Sequence, residues 1–222
     1  RSILDPSTDR QLWQLTREEM ELTQQMVEEE ESRDHTQDIF DVFLVLLEQQ
    51  RTREDVSTAL GIIRECFEKA LSRGLFRHTS RFLSRLQSLR EEYAQHNNWA
   101  LSHVDDFLHM ISGSRVLGSL KVSLRHPGTD DPERIEGLRQ TLSRLQPESV
   151  EALIPLLAEA GSREVQEGIR AAVRELAEKD VRPLSRLARY AELEVAREAV
   201  VILGGVERDQ VPAVLREAAD SG

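Results

Sequence analysis

The stretch VRPLSRLARYAELEVAREAVVILGG, residues 181–205, decides the fold. A first helix opens on Val181, Arg182, Pro183, Leu184 and continues through Leu187. A turn follows near Ala191 and Glu192. The second helix then runs through Ala199, Val200, Val201, Ile202 and Leu203 into Gly204 and Gly205, glycines of the kind that close a helix. Its small and branched residues allow close packing on a neighbour. The whole stretch reads as a pair of helices joined by a short turn.

The opening phrase recurs upstream as Ile154, Pro155, Leu156, Leu157, and downstream as Val211, Pro212 with Val214 and Leu215. Pro155, Pro183 and Pro212 recur at a near-constant spacing, and a fixed period of this kind marks a repeat array. Between them lie further stripes at helical spacing. Ile135, Leu138, Leu142 and Leu145 are closed by Pro147; Val150, Leu153, Ile154 and Leu157 by Gly161; Val165, Ile169, Ala172, Val173 and Leu176 by Lys179 and Asp180. Over residues 132–219 this pattern resembles HEAT repeats. The resemblance implies an all-α chain: a right-handed α-solenoid of antiparallel helix pairs, with HEAT-like repeats in its C-terminal half. Proline removes a backbone bond inside a helix, and in that family such prolines stand near the helix start. Pro155 comes several residues after Glu148, so either the helix is kinked there or a shorter one begins near Glu151.

Upstream, the phrase His126, Pro127, Gly128, Thr129, Asp130, Asp131, Pro132 is the clearest loop in the chain. It divides an N-terminal helical module, residues 1–126, from the HEAT-like repeats, residues 132–222. In the first of these, residues 9–31 form an amphipathic helix with Leu12, Leu15, Met20, Leu22, Met26 and Val27 among many charges. Residues 37–50 carry Ile39, Phe40, Val42, Phe43, Leu44, Leu46 and Leu47, apolar nearly all round, and predict a central helix buried on several sides. Thr52 caps the next helix, whose stripe is Val56, Leu60, Ile63, Phe67 and Leu71 and whose end is Gly74. Further helices are expected over 75–96, 99–111 and 116–124. The chain opens at Arg1 without an initiator methionine and stops as a new repeat begins, so it reads as a piece of a longer protein. The unpartnered last helix, presenting Val211, Val214, Leu215 and Ala218, is expected to self-associate with another copy or to meet a fold-back of its own chain.

A formal net charge of −11 repels phosphate backbones and anionic lipid, which disfavours nucleic acid as a partner. The single cysteine, Cys66, forms no internal disulfide and fits a reducing, cytoplasmic setting. Even the most apolar run, residues 42–47, is flanked by Asp41 and Glu48, so no membrane insertion is expected. The common zinc, phosphate-loop and hydrolase motifs are absent, and no cofactor is implied. Di-iron hydroxylases of HEAT-like form use His-Glu dipeptides, and none of the six histidines here precedes a glutamate. His103, Asp106 and His109 share one helical face, but they read as surface residues of an amphipathic helix, and no metal is expected.

The resemblance implies a binding surface, not an active site. The chain is therefore expected to be a non-enzymatic scaffold for a protein partner, with Gln166, Arg170 and Arg174 in one repeat and Glu194, Arg197, Glu198 and Val201 in the next as the contact residues. The alternative is a regulatory sensor module. There Arg77, Arg81 and Arg85, spaced at one helical turn along a single helix, hold a small anionic or nucleotide ligand.

Overall fold

The computed structural model describes residues 36–49, 52–96, 98–125 and 131–206, whose regular structure is entirely helical, with no strand among them. The helix expected over residues 9–31, the last helix over 211–219 and the loop at 126–130 lie outside the described residues. The described residues belong to one compact unit.

Local sequence explains most of the helix ends. Helix α1 (Thr36–Gln49) leads to α2 (Arg53–Arg73). The cap of α2 is Thr52, whose hydroxyl oxygen accepts the Asp55 N–H at 3.2 Å, as an N-cap side chain should. Glu54 and Asp55 add acid to the positive end of the helix dipole. Gly74 ends α2 in the left-handed region with φ 73°, which glycine enters without strain. Helix α3 (Phe76–Gln95) follows, and then α4 (Leu101–Ile111). The single helix expected over 116–124 is two short ones, α5 (Ser114–Leu117) and α6 (Leu120–Leu124), split at Gly118 and Ser119, where helix propensity is low.

Beyond residues 126–130 come α7 (Pro132–Ser143), α8 (Val150–Leu156), α9 (Arg163–Lys179), α10 (Arg182–Tyr190) and α11 (Leu193–Leu203). Asp131 caps α7, and Ser162 caps α9 by accepting the Val165 N–H at 3.3 Å. Pro155 lies near the end of α8, which starts at Val150 and is flanked by 3-10 turns at Pro147–Ser149 and Leu157–Glu159. The shorter helix of the two alternatives is therefore the one formed. Pro183, by contrast, sits in the first turn of α10. The regular spacing of Pro155 and Pro183 thus does not mark equivalent points of the two helices.

By contact the helices sort into two layers. One contains α1, α3, α7, α9 and α11, each against the next; the other contains α2, the α4 to α6 group, α8 and α10. Helices α3 and α7, which lie on either side of residues 126–130 in sequence, pack directly on each other. The buried side chains form a continuous cluster from Phe40 to Val206. Phe82 is a junction in it. Its ring stacks on Phe40 of α1 at 4.6 Å, tilts against Phe67 of α2 at 6.2 Å and meets Phe107 of α4 edge-on at 6.4 Å. Offset and edge-on arrangements of this kind are the ones aromatic quadrupoles favour.

One expectation about burial is corrected. Phe40, Leu44 and Leu47 of α1 are buried, but Ile39, Val42, Val45 and Leu46 are 39–57% exposed, so α1 is buried on one side among the described residues and not all round. Trp99 is 39% exposed ahead of α4, its ring meeting His103 edge-on.

Close approach sets the spacing of the first layer. A Cβ at Gly137 of α7 would lie 3.2 Å from the backbone nitrogen of Arg77 and from the Cβ of Phe76, and one at Gly168 of α9 would lie 3.1 Å from Ile135. Beside Gly137, the buried hydroxyls of Thr79 and Thr141 are 3.0 Å apart. The Thr141 hydroxyl also lies within bonding distance of the Phe76 and Gly137 carbonyls, at 2.9 and 2.8 Å. Each hydroxyl has one proton to donate and lone pairs to accept with, so neither goes unpaired.

Charge then bridges neighbours within a layer. Asp41 of α1 pairs with Arg85 of α3, Arg139 of α7 with Glu175 of α9, and Arg186 of α10 with Glu151 of α8 at 2.5 Å. Glu159, in the turn after α8, holds Lys121 at 3.2 Å and Arg125, just past α6. These pairs are partly exposed and fix orientation more than stability.

Gly137→Leu drives a side chain into the α3 backbone and should destabilise the protein by about 1–3 kcal/mol in denaturant unfolding. Gly61, whose missing Cβ faces open space inside α2, gives the opposite sign. Gly61→Ala should stabilise by about 0.5–1 kcal/mol. Hydrogen bonds from Arg139 and Gln140 hold the Glu136 carboxyl at a pKa of about 2, below its ordinary 4.5. A carboxylate whose pKa is depressed by folding stabilises the fold above its ordinary range and loses that contribution as pH falls toward the depressed value. The melting temperature should therefore fall between pH 4.5 and about 2, and Glu136→Gln should shallow that fall.

Candidate protein-binding groove

The two rows of candidate residues come from the polar edges of α9 and α11. Helix α9 buries Val165, Ile169, Ala172, Val173 and Leu176, which leaves Gln166, Arg170 and Arg174, successive positions at helical spacing, along its flank. Helix α11 buries Ala199, Ile202 and Leu203, and Glu194, Arg197, Glu198 and Val201 run along a second stripe. Because α9 packs on α11 and α8 reaches both, these stripes become two walls of one groove of about 510 Å³. All of the candidates except Arg174 line it.

The third wall has no counterpart among the sequence expectations. It is Ile154, Pro155, Leu157 and Ala158, at the end of α8. Pro155 has no N–H to continue the helix, and the chain passes into the 3-10 turn at Leu157–Glu159. The Leu157 carbonyl then accepts the Gln166 side-chain amide at 3.3 Å, tying this wall to α9. Ile154 and Leu157 are buried at the floor, while Pro155, Ala158 and Val201 are exposed at the edges, Val201 at 58%. The signal for this wall in the sequence is a proline late in a helix.

The charges divide into structural and available ones. Arg170 donates to Glu198 from Nε at 3.2 Å and from Nη2 at 3.3 Å, and to Glu167 at 2.9 Å. Those hydrogen bonds, Glu198 foremost, raise its pKa above the ordinary arginine value and join α9 to α11. Arg197 and Glu194 are exposed and make no ion pair among the described residues. Arg174 lies apart from the groove, its Nε 3.2 Å from where a Cβ on Gly205 would stand. The groove therefore offers an apolar floor, exposed aliphatic edges and one available charge of each sign.

The arginines of α3 are not used alike. Arg85 is paired with Asp41 and Arg90 with Asp105 at 2.5 Å, whereas Arg77 and Arg81 are exposed and make no ion pair among the described residues. Asp105, beside the His103, Asp106 and His109 set, is engaged by that arginine. No group of three or more His, Cys, Asp or Glu side chains is placed to hold a metal ion among the described residues. Burial pushes the half-buried Cys66 thiol above its ordinary pKa, away from the reactive thiolate. No described helix is long and apolar enough to cross a membrane.

A double-mutant cycle separates the structural pair from the available charges. Arg170→Ala with Glu198→Ala should show a coupling of about 0.5–1 kcal/mol in unfolding free energy, whereas Arg197→Ala should change stability by less than about 0.5 kcal/mol.

Compared with family models, curated proteins and solved structures, the chain matches none.

Proposed function

We propose that the chain is a non-enzymatic cytoplasmic scaffold of HEAT-like helix pairs stacked as a right-handed solenoid, which captures a short segment of a protein partner in the groove between α8, α9 and α11. The observation that carries this reading is that candidate residues from α9 and α11, Gln166 and Arg170 with Glu194, Arg197, Glu198 and Val201, line one continuous groove. The two-layer order of the helices, with each member of a layer against the next, supports the repeat reading.

The chemistry of the walls describes the partner. The apolar floor favours an aliphatic side chain inserted between α8 and α11, and the aliphatic edges at Pro155 and Val201 extend that contact. Arg197 and Glu194 at the rim select partner charges mainly through approach and register. Arg170 is committed to Glu198, so its removal loosens the groove itself.

A photo-reactive amino acid placed at Val201 should cross-link a partner from native extract, and the same group at Val122, an exposed valine on α6, should not. Arg197→Glu combined with Val201→Asp should abolish the capture and leave the melting temperature within about 2 °C, since substitutions of exposed side chains rarely move stability. Equal cross-linking from positions 122 and 201 would refute the groove assignment.

A further inference from the structure

A second cleft, of about 440 Å³, opens where α2 meets α5 and the start of α6, away from the α8–α9–α11 groove. Its character is different. Every lining residue is charged or carries a hydroxyl: Arg64, Glu65, Glu68, Lys69 and Ser72 come from α2, and Arg115 and Ser119 from the facing wall. Ordinary ligand pockets are lined mainly by apolar side chains, so a cleft lined by charged and hydroxyl-bearing residues suits a small polar occupant.

The hydrogen bonding inside it is incomplete. Arg64 approaches Glu65 at 4.0 Å and Glu68 at 3.7 Å, both too long for a hydrogen bond. Its Nη1 meets only the Met110 sulfur, at 3.9 Å. The Arg64 Nε and the Glu68 Oε1 are buried facing each other at that 3.7 Å, a loose ion pair in which no hydrogen bond is made. Lys69 and Arg115 are exposed and make no ion pair among the described residues. With two carboxylates against three cations, the lining is net positive within a chain of net charge −11.

The two serines complete the specification. Ser72 donates its proton to the Lys69 carbonyl at 2.8 Å, and Ser119 donates to the Val116 carbonyl at 2.7 Å. Each hydroxyl therefore faces the cleft as an acceptor only. The cleft thus presents cationic donors at Lys69 and Arg115, and acceptors at Glu68, Ser72 and Ser119. Its complement is a molecule with one anionic group and several hydroxyl donors. We propose that this cleft binds a phosphorylated polyol carrying a single phosphate group, with the phosphate on Lys69 and Arg115 and the hydroxyls on Glu68 and the two serines. Glu65 and Glu68 repel a more heavily phosphorylated ligand.

Glycerol 3-phosphate is a suitable probe, titrated calorimetrically into the whole chain beside inorganic phosphate and glycerol. Saturable binding of glycerol 3-phosphate is expected, tighter than that of inorganic phosphate, with none for glycerol. Arg115→Gln should weaken it about tenfold, the scale of one lost charge-assisted hydrogen bond. Arg163→Gln, which removes an exposed cation from α9, should leave it unchanged. Arg115 lies outside the core, so its variant should keep the wild-type circular dichroism and melting temperature. Absence of saturable binding, or equal loss in the Arg163 and Arg115 variants, would overturn the site. Equal affinity for inorganic phosphate and glycerol 3-phosphate would overturn the polyol assignment.

Discussion

The contact on which the rest of the structure depends is the approach of α7 to α3 at Gly137. With no side chain there, the α7 backbone settles against Phe76 and Arg77, and Thr79 and Thr141 meet between the helices with their hydroxyls satisfied. This joins the aromatic cluster around Phe82 to the Leu- and Val-rich layers of residues 132–206. Gly168 repeats the device one step on, seating α9 against Ile135 of α7, and α9 in turn carries α11. The position of the groove is thus set by two glycines that lie outside it.

Much of this is legible in the sequence because it is local. Thr52 and Gly74 bound α2, Ser162 opens α9, and the stripe from Val56 to Leu71 is buried as its spacing requires. What is not legible depends on partners distant in sequence. Residues 37–49 are apolar nearly all round, and periodicity alone cannot say that Ile39, Val42, Val45 and Leu46 stay exposed while Phe40, Leu44 and Leu47 are covered. Trp99 likewise stays partly exposed, ahead of the helix whose buried stripe is Val104, Phe107, Leu108 and Ile111.

The site shows the same division. Helical spacing alone places Gln166 and Arg170 on one row and Glu194, Arg197, Glu198 and Val201 on another, and both rows line the groove. It puts Arg174 in the first row as well, where the structure sets it against Gly205. The α8 wall is hidden in the sequence because Pro155 there has the look of an irregularity in a repeat. The cleft at Arg64 and Arg115 joins residues far apart in the chain, between elements whose contact no periodicity announces.

Both side walls of the groove are fastened to the same helix. Gln166 holds the Leu157 carbonyl of one wall, and Arg170 holds Glu198 of the other. The width of the opening is therefore an internal dimension of α9, the distance between positions one helical turn apart, and does not depend on a mobile loop. A segment entering such an opening finds it preorganised: little conformational freedom of the receptor remains to be lost, and the entropic cost falls on the incoming chain. Affinity would then respond more to stiffening that chain, by a ring, a proline or a preformed helix, than to enlarging its contact area.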